Sequence, residues 1–377
     1  MALVTPRGFK DVLPEEAAWR ETLLSRAHYV LSLWGYKPIE TPTLEVLEML
    51  ELGGTLGKTP IKLFDDDGKL LALRPDVTLS IARVVASRLA KEEGPFRFRY
   101  SQPVFREEES LKGQSREFMQ IGAEFIGLSG TAADAEIILL LIETLKSFGL
   151  TDFKVAICTV SVLQELLFSI VAKDGATELW RRAVLSACHK HDFVEIEKLA
   201  GDPHIDSCYA SALIQLVNIR GGIEAIRQCK QLAETLGCSR ELDELQKTYE
   251  IIEAYGAREY LMVDFSIMNT FDYYTGVVFE AYAPGLGIPL GSGGRYDRMI
   301  EAYGKKSPAA GFACNLDRVM LALLKQQEGV THILKNDECV RVPIDNNTPS
   351  EAFLEASRIR AEGRCAILFN TDKEENQ

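Results

Sequence analysis

The first apolar stripe along the chain is helical. Trp19, Leu23, Ala27, Val30, Leu31 and Trp34 recur at helical spacing, and Gly35 ends the run. Asp11, Pro14, Glu15 and Glu16 stand ahead of it: a capping candidate, a first-turn proline, and two acids where the helix dipole favours negative charge. Residues 36–45 carry Pro38 and Pro42, which predicts an extended or irregular piece. Residues 70–73 read as a short strand, after which Arg74-Pro75-Asp76-Val77-Thr78 turns the chain into a helix running to about Leu89. Aromatic and basic positions alternate over residues 96–106, and residues 117–126 form a second strand; with the polar loop 107–114 between them, they predict a long antiparallel hairpin. Residues 134–148 are an amphipathic helix stopped by Gly149.

The texture then changes. From about residue 160 to 255 the chain is helical throughout, with breaks at Gly201-Asp202-Pro203 and Gly221-Gly222, and reads as an insertion. Strand patterning returns over residues 260–267, 275–282 and 311–315, and residues 316–324 begin another helix. Between the last two strands lies a glycine-rich turn, Gly291-Ser292-Gly293-Gly294-Arg295-Tyr296-Asp297. The tail alternates strand (338–343), helix (349–361) and strand (364–370), one βαβ unit. A lone unit of that size has little core, so it is expected to pack on the main domain or on another chain. Two parts follow: a main domain over 1–325 with its insertion, and a small unit over 333–377.

The 377 residues suit more than one domain, and 46% hydrophobic with 26% charged residues is ordinary for a soluble globular protein. No run of about 18 apolar residues is present and residues 1–7 have no apolar h-region, so neither a membrane span nor a signal peptide is expected. The eight cysteines are scattered without a CxxC pair; a zinc site and a disulfide framework are not expected, and a reducing, cytoplasmic setting fits. Most should be small buried hydrophobes. The five histidines form no metal-ligand set, and no cofactor fingerprint occurs. A net charge of −13 opposes nonspecific attraction to nucleic acid, which depends on Lys and Arg meeting phosphates.

Several stretches could carry chemistry. Gln120, Gly122 and Glu124 share one strand face, either a floor for a ligand with N–H donors or a solvated polar face. Asp76 and Thr78 sit at a strand-to-helix turn, where Asp76 could cap the helix or meet a ligand. Asp272, Tyr273 and Tyr274 lead into the apolar run 277–279, opposite the glycine-rich turn with Tyr296. Arg318 follows a strand and could be an ordinary helix-surface arginine.

In this order the pieces resemble the class II aminoacyl-tRNA synthetase family, specifically its histidyl branch, over roughly residues 6–325. Residues 6–14 resemble its N-terminal signature, 36–45 its dimer-interface motif 1, 105–118 motif 2 and 311–318 motif 3; Phe271–Gly276 and Gly293–Asp297 resemble its histidine-specific segments. The resemblance implies an α+β fold, an antiparallel sheet flanked by helices, with a truncated anticodon-binding-like unit at the end. It places a histidine pocket on Asp76, Thr78, Arg106, Gln120, Glu124, Tyr273, Tyr274 and Tyr296, with acceptors for an α-ammonium from Asp76, Thr78 and Gln120, and Glu124 and Tyr274 for the imidazole.

Three departures redirect the expectation. Asn269 stands where the family has an arginine that stabilises developing charge, a loss typically costing several kcal/mol of transition-state stabilisation. Glu107, Glu108 and Glu109 crowd motif 2 with acids where a triphosphate would lie, and Asn315 replaces a motif 3 glycine. Arg106, Arg116 and Arg318 are kept. These features resemble the non-catalytic branch of the family, regulatory subunits that assemble with short-form ATP phosphoribosyltransferase for the first step of histidine biosynthesis. That likeness implies a partner catalytic subunit, a homodimer through the class II interface, histidine as an effector, and neither tRNA nor a catalytic residue. An active histidyl-tRNA synthetase and a stand-alone histidine-binding scaffold are the alternatives.

Overall fold

A computed structural model describes residues 4–54, 59–107, 115–174, 176–233, 239–267, 274–326, 339–344 and 349–370. The first apolar stripe is α1 (Pro14–Leu33), which buries Leu23, Ala27 and Leu31. The proline-containing piece gives β1 (Lys37–Pro38) and β2 (Leu44–Val46), followed by α2 (Leu47–Leu52), β3 (Lys62–Phe64), β4 (Leu70–Leu73) and α3 (Val77–Ser87). The predicted hairpin is β5 (Phe96–Phe105) and β6 (Glu117–Ile126), paired without a break from Phe96↔Ile126 to Phe105↔Glu117. α4 (Thr131–Ser147) and β7 (Lys154–Thr159) lead into the insertion: α5 (Ser161–Asp174), α6 (Glu178–His189), α7 (Phe193–Ala200), α8 (Ser207–Asn218), β8 (Arg220–Gly221), α9 (Ile223–Ala233) and α10 (Ser239–Ala254). The chain returns through β9 (Leu261–Asp264), β10 (Val277–Tyr282), β11 (Gly291–Arg295), α11 (Asp297–Ala302), β12 (Ala309–Asn315) and α12 (Leu316–Gln326). Last come β13 (Val340–Ile344), α13 (Pro349–Ala361) and β14 (Ala366–Asn370).

Among the described residues nine strands form one sheet in the order β1-β5-β6-β12-β11-β10-β7-β9-β8, and β2, β4 and β3 form a small second sheet. The long sheet is antiparallel except at β1–β5 and β7–β9. This is the expected α+β architecture. A buried cluster under the hairpin joins Val77, Ile81 and Val85 of α3 to Tyr100, Val104, Ile126, Tyr296 and Ile300, which anchors α3 against the hairpin end of the sheet. In the insertion, Thr177, Asp192 and Asp206 accept from the backbone N–H groups of Trp180, Glu195 and Cys208, capping α6, α7 and α8. Such caps contribute about 1 kcal/mol each. No helix among the described residues is long and apolar enough to cross a membrane.

Three local expectations are corrected. The stretch expected as a glycine-rich turn is strand β11, inside the sheet. A Cβ at Gly294 would lie 2.6 Å from the Tyr274 ring, and one at Gly293 would meet the Phe279 ring and the Gly311 carbonyl. The glycines are there for close packing, not for turning. The insertion is not helical throughout, since β8 adds an edge strand to β9. Cys339 and Cys365 are disulfide-bonded, where the cysteine spacing suggested none. Each cysteine immediately precedes a strand, and the parallel register Val340↔Ala366 brings their Cα atoms to 4.5 Å. Of the described free cysteines, Cys158, Cys188, Cys229 and Cys314 are buried and Cys208 is exposed.

The chain divides into two compact units, Met1–Val12 with Arg20–Glu328 and Leu13–Trp19 with Gly329–Gln377. The smaller holds a core of Val342, Ala352, Ala356, Ile359 and Ala366, little to hold a fold alone. The disulfide closes a sequence separation of 26 residues there. Loop-closure entropy for that span amounts to about 3.5 kcal/mol, so the Cys339→Ser/Cys365→Ser double variant is expected to unfold this unit selectively. Limited proteolysis followed by peptide mapping measures it, with cuts in α13 as the readout.

Candidate functional site

The pocket is built where α3 begins beside the hairpin. Asp76 is the N-cap of α3: its Oδ1 accepts from the Thr78 N–H at 2.8 Å. Its other oxygen accepts from Gln120 Nε2 and from Arg106 Nη2, each at 3.3 Å. Capping and facing the pocket, read from the sequence as alternatives, are done by the two oxygens of one carboxylate. Gln120 is held from its other end, its Oε1 accepting the Val77 N–H at 3.1 Å. Arg106 is fixed by donating from Nε to the Pro75 carbonyl at 2.7 Å, with its guanidinium 5.1 Å from the Phe118 ring centroid.

Glu124 lies deeper, 1% exposed. Its Oε1 accepts from Thr78 Oγ1 at 2.8 Å and from the Tyr100 hydroxyl at 3.3 Å, and its Oε2 accepts from the Tyr296 hydroxyl. Burial pushes this carboxyl up to about 8; the hydroxyls of Tyr296, Thr78 and Tyr100 pull it down, and the Asp76 charge adds to the rise. Burial likewise raises the hydroxyls of Tyr100 and Tyr296 well above the usual tyrosine range. The Thr78 hydroxyl therefore serves Glu124 as a donor, a role the sequence reading did not give it.

Two further devices aim these side chains. Arg295, 7% exposed, donates to Asp134 at 2.9 Å and to Asp297 at 3.1 Å, and Asp297 accepts the Ala309 N–H at 2.9 Å. The clamp fixes the backbone on both sides of Tyr296. Glycines make the room. A Cβ at Gly122 would strike the Tyr100 ring, and one at Gly311 would collide with Glu124 Oε2 and lie 2.6 Å from its carboxyl carbon.

The result is a cavity of about 220 Å³ lined by Asp76, Thr78, Arg106, Gln120, Glu124, Tyr274 and Tyr296, and extending past Phe118, Glu280, Ser292, Asn315 and Arg318. Seven of the eight expected pocket residues thus share one cavity. Tyr273, the eighth, lies outside the described residues, as do Asn269, Asp272, Glu108 and Glu109. Sequence reasoning missed Tyr100, Gly311 and Glu280. Tyr100 pairs with Gly122 across the hairpin, and an aromatic facing a glycine in that register is the signal that would have found it.

The other retained motif cations, Arg116 and Arg318, are held by internal bonds. Arg116 forms an ion pair with Glu107 and lies 5.5 Å from the Phe9 ring centroid. Arg318 donates from Nη1 to the Pro289 carbonyl at 2.9 Å. Asn315 accepts the Arg318 N–H at 3.1 Å, so the residue replacing a motif glycine caps α12.

The histidyl-tRNA synthetase family model matches residues 8–319. A protein of Moorella thermoacetica called ATP phosphoribosyltransferase regulatory subunit is 38% identical over 85% of this chain and 82% of its own length. One of the same description from Halalkalibacterium halodurans is 35% identical over 96% and 89%. The crystal structure of an ATP phosphoribosyltransferase regulatory subunit/histidyl-tRNA synthetase from Bacillus halodurans superposes with a TM-score of 0.88 at 34% identity, covering 99% of this chain and 94% of that one. With this similarity spread over nearly its whole length, the chain belongs to the histidyl-tRNA synthetase-like family of ATP phosphoribosyltransferase regulatory subunits.

Proposed function

We propose that the chain is a regulatory subunit without catalysis of its own, that it assembles with a short-form ATP phosphoribosyltransferase catalytic subunit, and that the buried pocket senses histidine. One observation carries the reading. The polar groups of the pocket are pre-organised around Glu124 and Asp76, whereas Arg106 and Arg116, the motif 2 cations a triphosphate would need, are tied to Asp76, Pro75 and Glu107. A site that keeps its amino-acid end while turning its cations inward binds without activating. Asp76 and Gln120 supply acceptors for an α-ammonium, and Glu124 with Tyr274 meets the ring. Histidine regulates the complex only if it favours one conformational state of the assembly over another. The same reading has the chain pair with a second copy through the class II interface around residues 36–45, work in the cytoplasm and bind no tRNA, in keeping with the −13 net charge.

The test is co-purification with the short-form transferase of the same organism. The complex should form, carry transferase activity that neither chain shows alone, and lose part of it on addition of histidine. Absence of both binding and activation removes the assignment. Histidine-dependent ATP–pyrophosphate exchange by the purified chain would instead favour an active synthetase. Histidine binding with no transferase partner would favour the scaffold. At the residue level, Tyr274→Phe is expected to weaken histidine binding by about 1–3 kcal/mol, because a buried ligand nitrogen loses its partner. Titration calorimetry measures it, and unchanged affinity places histidine elsewhere.

A further inference from the structure

A second cavity, of about 480 Å³, opens between the insertion and the far end of the large sheet. It lies on the sheet face that carries the first. Glu280 pairs with Ser292 on one side and Ala156 on the other, and Ala156 pairs with Met262; by the two-residue alternation Tyr282, Met262 and Asp264 share that face. Glu280 lines the first cavity, Tyr282 lines the second, and the Tyr282 hydroxyl donates to Glu280.

Asp264 and Arg220 form the polar end. Asp264 is 7% exposed, and its Oδ1 accepts from the Ser266 N–H at 2.8 Å, the Ser266 hydroxyl at 2.6 Å and Arg220 Nε at 3.2 Å. Its Oδ2 takes no hydrogen bond from the described residues, yet it is not one of the sealed unpartnered atoms of the interior. Arg220 donates from Nη2 to Ser266 Oγ at 3.0 Å and lies 5.1 Å from the Phe193 ring centroid, leaving Nη1 without a partner among the described residues. Its side chain is 45% exposed. Phe153, Phe193 and Met262 supply apolar wall. Asp152, Lys154 and His191 also line the cavity, one acid and one base beside the imidazole, so Asp264 and Arg220 set its polar end: one spare carboxylate oxygen and one spare guanidinium edge, side by side, next to apolar surface.

We propose that this cavity is a second small-molecule site, for an α-amino acid with an apolar side chain: ammonium on Asp264 Oδ2, carboxylate on Arg220, side chain against Phe153, Phe193 and Met262. The charge pattern selects this class. A simple anion meets the Asp264 charge, a simple cation meets Arg220, and an uncharged apolar molecule strips water from both without replacing its hydrogen bonds. A zwitterion satisfies the two together. The site is independent of the histidine pocket, so its failure leaves the sensor reading untouched.

The test is calorimetric titration of the full chain with L-leucine, L-methionine and L-phenylalanine. At least one should saturate a single site and bind the Glu124→Gln variant unchanged. Arg220→Gln and Phe193→Ala should each weaken it at least about tenfold, as should removing one charge from the ligand, with 3-methylbutylamine and 4-methylpentanoate as the probes related to leucine. Phe193→Ala covers the case in which Arg220→Gln perturbs folding. No binding by all three amino acids, equal binding of the singly charged analogues, or full affinity in the folded Arg220 and Phe193 variants overturns the proposal.

Discussion

Gly311→Ala is expected to abolish histidine binding and to lower stability by about 1–3 kcal/mol, the usual range for overpacking a core. Gly311 on β12 stands in register between Glu124 on β6 and Gly294 on β11. The added carbon would collide with Glu124 Oε2, lie 2.6 Å from the carboxyl carbon and 2.8 Å from the Ala123 carbonyl oxygen. Glu124 cannot simply swing away. It is 1% exposed and holds the hydroxyls of Thr78, Tyr100 and Tyr296, and each bond broken inside costs about 1 kcal/mol, more where a group is left unpaired. The carboxylate must therefore be displaced from the position in which the proposed reading has it meet the histidine ring. Gly287→Ala is the control, since a Cβ there meets nothing within 4 Å. Calorimetric titration and urea unfolding read the two effects. Wild-type affinity in Gly311→Ala would mean that histidine binds without touching Glu124.

What was legible in the sequence follows from which physical signals are local. The hairpin, α3 and the βαβ tail each carry a complete periodic pattern, so their strands and helix were readable. β7 was not, because Val155, Ala156, Ile157 and Cys158 are buried on both faces and give a continuous apolar run with no alternation. β11 misled because glycine signals a turn and a close backbone approach equally well, and only the neighbours Phe279 and Tyr274 tell them apart. The pocket was legible as a set because its members sit at fixed offsets in separate motifs. Their roles were not. That Thr78 donates to Glu124, that Arg106 is tied to Asp76, and that Tyr100 completes the cage depend on register between strands far apart in the chain. The Cys339–Cys365 bond was invisible for the same reason, since it depends on β13 and β14 being parallel neighbours.

The second large effect is a pH dependence that Glu124 imposes on both stability and binding. Its carboxyl is held at about 8 in the folded chain against an ordinary 4.5. Between those values the folded state keeps a proton that the unfolded state has released, so stability falls as pH rises, by up to ~1.4 kcal/mol per pH unit. The contribution is complete below the unfolded value and lost once pH passes the folded one. Glu124→Gln should flatten that slope in urea unfolding between about pH 5 and 8. Binding adds a second signature. Three hydroxyls already occupy the carboxylate, leaving one acceptor position for a ring N–H. In the proposed complex the carboxyl–imidazole pair holds one titratable proton in all. Free histidine loses its ring proton near pH 6.5, so between about 6.5 and 8 that proton starts on Glu124 and binding exchanges none with solvent. Below this window binding must expel a proton, and above it binding must take one up; affinity falls on both sides, by up to about tenfold per pH unit. Deprotonation of the ligand's α-ammonium weakens binding at high pH in any variant, so the comparison with Glu124→Gln isolates the carboxyl. That variant should keep the acid limb and lose the limb that begins near pH 8. Titrations in buffers of different ionisation enthalpy count the protons directly, and net uptake of a proton at neutral pH would show that Glu124 is already ionised in the empty pocket.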